Sequence, residues 1–325
     1  MRKQLGSAAI QGFFETAAAA GRLLPSSRKL LRDLRVERGL AYGPLDPWNR
    51  LDVWRPPESA PVPGLNPGLQ PDGRSPALRP ALLYLHGGGF RILSKDTHWA
   101  MAALFARAGY VVFNANYRLA PMSPYPAALE DSALAYRWVT QNAASHGADS
   151  SRLVVAGESA GANLTLALAV CAAFERPEPF ARSVFETGVV PKVVAPVCGI
   201  LQVSDSARFA RRKAHLARIV ADRLEEVEGA YLHGAGAKPL ADPLLILETD
   251  AQPARPLPPV YAGVGTKDPL LDDTRRLAAA LARRGIAHQA DYFPGELHAF
   301  HAFYFKPQAR QLWDAQLAFL ARHLA

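Results

Sequence analysis

Leu153-Val154-Val155-Ala156-Gly157-Glu158-Ser159-Ala160-Gly161-Ala162-Asn163-Leu164 decides the fold. Leu153–Ala156 is a short apolar run of the kind found in strands covered on both faces, and Ala162–Phe174 continues as an apolar helix. Between them stands G-x-S-x-G, Gly157 to Gly161, a serine on a tight turn from strand into helix. Such a turn lifts the hydroxyl clear of the backbone, and a side chain larger than glycine two residues to either side would clash. The helix that follows aims the positive end of its dipole at any negative charge developing there. Gly and Ser also populate ordinary turns, so the strand before and the helix after carry the reading of Ser159 as a nucleophile.

The same alternation runs outward in both directions. Upstream lie a strand at Ala81–Leu85, a helix at Thr97–Arg107, a strand at Tyr110–Asn114 and a helix at Ala127–Asn142. Downstream come strands at Val193–Val197, Pro259–Gly263 and Gln289–Phe293, a helix at Asp272–Arg284 and a closing helix over 308–323. Strands alternating with helices specify an α/β fold, a mostly parallel central sheet with helices on both faces. Leu51–Trp54 reads as one more strand, and residues 56–80 as a proline- and glycine-rich loop. Residues 1–50 read as an N-terminal helical cap segment, with an amphipathic helix at Ile10–Leu24 and Ser26-Ser27 capping a short basic helix through Arg35. The core then runs over 51–204 and 251–325. Residues 205–250, with a basic helical stretch at Ala207–Tyr231, form an inserted second cap segment.

Composition narrows the class. Of 325 residues 49% are apolar and 20% charged, which suits a folded enzyme and not a disordered chain. A net charge of +8 predicts a basic surface. Its arginines, such as Arg275-Arg276 and Arg283-Arg284, are scattered along helices with no nucleic-acid motif, so no nucleic-acid partner is expected. Weak contact with a membrane surface through the basic N-terminus, Met1-Arg2-Lys3, stays open; no apolar run approaches about 18 residues. Cys171 and Cys198 form no CxxC pair or Cys/His cluster, so neither a metal site nor a disulfide is expected. Two isolated apolar cysteines suit a reducing compartment, hence a cytoplasmic expectation, with secretion or peripheral attachment as the alternative.

Two further constellations carry chemistry. His86-Gly87-Gly88-Gly89-Phe90 follows the Ala81–Leu85 strand directly, and three glycines let backbone N–H groups face a cavity without Cβ obstruction. Gly87 and Gly88, with Ala160, are the expected oxyanion donors, and His86 is read as a residue bracing the loop. No Walker lysine–serine follows, and the spacing is not G-x-G-x-x-G, which argues against phosphate binding. A serine nucleophile also needs a base and an orienting acid. His298 follows the Gln289–Phe293 strand, where α/β enzymes place their chemistry; His301 is the competitor, expected inside a following helix. Asp268 follows the Pro259–Gly263 strand. Asp272 and Asp273 look suited to capping the next helix, and Glu296 stands too close to His298. The order Ser159, Asp268, His298 is the α/β-hydrolase order.

His86–Gly89, Tyr117-Arg118-Leu119-Ala120-Pro121 leading into Pro126–Asp131, Gly157–Gly161 and Asp268–Asp272 together resemble the hormone-sensitive lipase family of esterases over roughly residues 45–305. The resemblance implies an α/β-hydrolase fold with a helical cap and hydrolysis of carboxylic esters with short or medium acyl chains. It maps the triad onto Ser159, Asp268 and His298, and the oxyanion hole onto Gly87, Gly88 and Ala160. No metal or organic cofactor is implied. A homodimer is common in that fold family, though no residue here points to an interface. Two departures stand out: Met122-Ser123 where the family commonly has an acidic residue after Ala-Pro, and Glu158 where it commonly has Asp. Amide or carbamate hydrolysis by the same residues remains open. A small-molecule-binding protein on a disabled hydrolase scaffold is disfavoured by an intact triad.

Overall fold

A computed structural model describes residues 11, 12, 15, 16, 18–64, 78–212, 218–234 and 238–325. The strands are β1 (Arg35–Ala41), β2 (Arg50–Arg55), β3 (Arg79–Leu85), β4 (Val111–Ala115), β5 (Ala148–Glu158), β6 (Val193–Val197), β7 (Val260–Gly265) and β8 (His288–Phe293). The helices are α1 (Pro25–Leu31), α2 (Trp99–Arg107), α3 (Ala127–Asn142), α4 (Ala160–Ala173), α5 (Pro179–Phe185), α6 (Ala207–Arg212), α7 (Arg218–Tyr231), α8 (Pro243–Glu248), α9 (Leu271–Arg283) and α10 (Pro307–Arg322). All eight strands join one sheet in the order β1-β2-β4-β3-β5-β6-β7-β8. β1 and β2 pair antiparallel with each other and β2 with β4; every other pairing is parallel.

The central strands are apolar because both faces are covered. In β4 and β6 every residue is buried, and α4 is buried along its whole length. One apolar cluster joins Leu83, Val155 and Leu166 on one side of the sheet, and another joins Tyr84, Phe105, Ala156 and Trp313 on the other. Sequence alternation therefore becomes a three-layer α/β sandwich. The carboxyl ends of every strand but β2 emerge at one edge, where loops collect.

The first 50 residues are not helical throughout. β1 lies in this stretch as an edge strand, and α1 stops at Leu31, short of Arg35. Nor do Ser26 and Ser27 cap α1: Leu24 stands at its N-cap with Pro25 at the first turn, and the buried Ser27 hydroxyl is 3.0 Å from that of Tyr304. Residues 1–10, most of the proline-rich loop (65–77), and 213–217 of the Ala207–Tyr231 stretch lie outside the described residues. Among the described residues no helix is long and apolar enough to cross a membrane.

Asp273 also departs from expectation. It does not cap α9; fully buried, it accepts from the Arg208 guanidinium at 2.7 and 2.9 Å and from the N–H of Leu201 at 2.9 Å. Burial pushes its carboxyl up, and Arg208, which acts the other way, is what compensates its charge. Removing Arg208 leaves a buried carboxylate without its main cation. Arg208→Ala is expected to cost about 3 kcal/mol of stability, read from a shift in the urea midpoint. A loss below about 1 kcal/mol, the range of exposed pairs, would contradict this role.

Candidate active site

Ser159 sits between β5 and α4 with φ 54° and ψ −114°, a backbone conformation that L-residues with side chains avoid. Such a turn costs roughly 1–3 kcal/mol and survives only where its surroundings enforce it. Here the Ser159 N–H donates to the Val197 carbonyl (3.0 Å) at the end of β6, and its carbonyl accepts from Asn163 and Ile200. Gly161 must be glycine, because a Cβ there would lie 2.6 Å from the His86 carbonyl oxygen and collide with that of Leu85.

The structure brings the three distant side chains together. His298 Nε2 lies 3.1 Å from Ser159 Oγ, and His298 Nδ1 lies 2.9 Å from Asp268 Oδ2. Asp268 is fully buried beyond β7, and its other oxygen accepts the Leu270 N–H at 2.8 Å. With Asp268 accepting from Nδ1–H, Nε2 is left free to accept from the serine. Burial by itself lowers the His298 imidazole. The charge and hydrogen bond of Asp268, helped by Glu158, outweigh it and raise the group above its usual 6.5.

The Gly87 N–H points at Nε2 of His98, 3.3 Å away beneath the loop, although that nitrogen gives its own proton to Glu158. The N–H groups of Gly88, Gly89 and Ala160 have no protein acceptor among the described residues. Gly88 adopts φ +110°, where a Cβ would press on the Ile92 carbonyl, and its own carbonyl accepts from Arg91 and Ile92. His86 braces this turn. Its Nδ1–H donates to the Gly87 carbonyl (2.7 Å), its ring stacks on Tyr117 at 4.2 Å, and the Tyr117 hydroxyl donates to the His86 carbonyl. Burial, with His98 nearby, pushes His86 down to about 3, so its ring is neutral.

Helix α7 rests directly on this loop. Phe90 stacks on Tyr231 of α7 at 3.7 Å, Arg91 pairs with Glu226 at 2.7 Å, and Val227 packs against Gly89. His301 does not compete for the serine. It lies in a short turn, Phe300–Ala302, with Nε2 2.6 Å from Glu158 Oε2. Glu158, read from the sequence only as a departure, also accepts from His98 Nε2–H at 2.8 Å. His98 gave no local signal, since its partner stands 60 residues away. Met122, the other departure, points into solvent at 91% exposure.

Cys198 approaches the site as well: its sulfur, an Asp268 oxygen and a His298 nitrogen lie within 4.8 Å of one another. As metal ligands these groups fit poorly. Burial, with Asp268 close by, pushes the Cys198 thiol well up, which keeps it protonated, and Asp268 is already engaged with His298.

A serine on a strained strand-to-helix turn, a facing imidazole–carboxylate pair and a glycine loop at the carboxyl edge of one sheet define a class. Residues 82–302 match the profile of the alpha/beta hydrolase fold, and the chain belongs to that family. It is 32% identical over 251 residues to carboxylesterase NlhH of Mycobacterium tuberculosis, covering 75% of this chain and 74% of the relative. It is also 30% identical over 256 residues to an acetyl-hydrolase of Streptomyces hygroscopicus, covering 77% and 76%. Among solved structures it is similar to an esterase from the bacterial hormone-sensitive lipase family, with a TM-score of 0.69 at 26% identity over 97% of this chain and 91% of that one. Within the family it stands with these hormone-sensitive-lipase-like esterases.

Proposed function

We propose that this chain is a serine carboxylesterase that hydrolyses small esters with short- to medium-length acyl chains. The observation that carries this reading is the unbroken run of contacts from the Ser159 hydroxyl through His298 to buried Asp268. The carboxylesterase relative supports the choice of esters over amides.

In the first half-reaction Ser159 Oγ attacks the ester carbonyl carbon while His298 Nε2 takes its proton. The carbonyl oxygen becomes an oxyanion, and the free N–H groups of Gly88, Gly89 and Ala160 are the donors proposed to hold it. Collapse breaks the bond to the alkoxy oxygen, which leaves as alcohol with the proton from His298. Water then attacks the acyl-serine, giving its proton to His298, and the carboxylic acid departs as Oγ recovers the proton. Asp268 stabilises the imidazolium formed in each half.

The test is hydrolysis of p-nitrophenyl esters of increasing acyl length, with kcat/KM followed against pH. Short and medium acyl chains are expected to react fastest. Only neutral His298 can accept a proton, and its pKa is raised, so activity should fall as pH drops through a value above 6.5. Absence of ester turnover would overturn the assignment, and an acid limb well below 6.5 would contradict the upward shift of His298.

A further inference from the structure

The proposed mechanism leaves one buried titratable cluster without a role. Glu158 is 7% exposed and stands immediately before Ser159, and its carboxylate lies between two histidines, His98 and His301. Oε1 accepts from His98 Nε2–H at 2.8 Å, and Oε2 lies 2.6 Å from His301 Nε2. His98 is itself fixed, with Nδ1 3.1 Å from the Ser94 carbonyl. It stands at the N-cap of α2, at the end of the segment that begins with the glycine turn. His301 lies three residues after His298, in the same loop. One carboxylate therefore touches the two segments whose backbones set the oxyanion donors and the base. It also lies under the glycine turn itself, where a Cβ on Gly87 would be 3.1 Å from Oε1.

We propose that Glu158 is a positioning residue: its buried carboxylate, clamped by His98 and His301, holds the glycine loop and the His298 loop in register around Ser159. This rests on the hydrolase reading above. Two physical arguments support a role beyond packing. A lone buried carboxylate is costly, and so is a buried imidazole without a partner, so the three groups hold one another in place. The carboxylate also lies close enough to His298 to favour its protonated form, the form that exists in both half-reactions. Burial disfavours the Glu158 charge, but the two imidazoles outweigh that and hold it well below the usual carboxylate range, so it is ionised throughout the working pH range. The titratable groups facing it are His98, His301 and His298, with Tyr84, Tyr117, Cys198 and His86 at longer range.

The test compares Glu158→Gln, which keeps shape and removes charge, with Glu158→Asp, which keeps charge. Both are assayed on p-nitrophenyl acetate beside the wild type. Glu158→Gln is expected to lower kcat about 10- to 100-fold with KM within about threefold, because a misplacement near 1 Å costs that much. Its acid limb should move to lower pH, since a negative charge near His298 is gone. Glu158→Asp should restore kcat to within about tenfold of wild type and return the acid limb. His301→Gln removes one contact only and should lower kcat about tenfold, which keeps the proposal testable if Glu158→Gln does not fold. A Glu158→Gln or His301→Gln enzyme with wild-type kcat and an unmoved acid limb overturns the proposal. A silent wild type overturns the hydrolase reading first.

Discussion

Ser159→Ala is expected to lower ester hydrolysis by a factor on the order of 10⁶ in kcat. The alanine keeps the strained turn, the buried helix behind it and the free N–H groups, so the fold and substrate binding should persist while covalent chemistry stops. What remains should be the roughly 10³–10⁴-fold advantage over water that oxyanion donors and binding supply alone. KM should change little, because the hydroxyl is small beside the acyl and alcohol groups that fill the site. Stopped assays with p-nitrophenyl butyrate measure this. Retention of activity within tenfold of wild type would remove Ser159 from its role.

Asp268→Asn should cost about 10⁴ in kcat with little effect on folding. The substitution is isosteric, and the buried oxygen that accepts the Leu270 N–H can stay in place. The other side-chain atom becomes an NH₂ facing His298 Nδ1. That nitrogen must then accept, the proton moves to Nε2, and Nε2 can no longer take the Ser159 proton. The same change removes the negative charge that raises His298, so any residual acid limb should shift down in pH. A loss below about 100-fold would mean that the Asp268 contact is structural rather than part of the proton path.

Much of this was legible because local signals and function coincide. The strand–turn–helix around Ser159 is written within one stretch of chain, and α3 and β6 have the bounds their periodicity predicts, Ala127–Asn142 and Val193–Val197. Buried parallel strands advertise themselves as apolar runs. β1 did not: Arg35-Val36-Glu37-Arg38-Gly39-Leu40-Ala41 has no buried residue and carries charges along an edge, so no alternation marks it. The glycine loop was legible as a turn that exposes backbone N–H groups, but not atom by atom. Three successive glycines fix no preferred φ, and the turning of the Gly87 N–H towards His98 depends on a ring eleven residues on. The Glu158 clamp was less legible still. Its partners lie 60 residues before and 143 after, and only the unusual glutamate hinted that something differed there. The quoted block around Arg118 is chiefly a brace: its guanidinium grips Asp131 and Glu130, and the neighbouring Tyr117 holds the turn at His86.

The central claim is that the hydroxyl on the β5–α4 turn is the atom that becomes acylated. Reaction with a fluorophosphonate, followed by proteolysis and mass mapping, reads that atom directly. A single phosphonyl group on the peptide bearing Ser159, absent from the Ser159→Ala variant, is the predicted result. An active enzyme that carries the label on another residue, or none at all, would contradict the account.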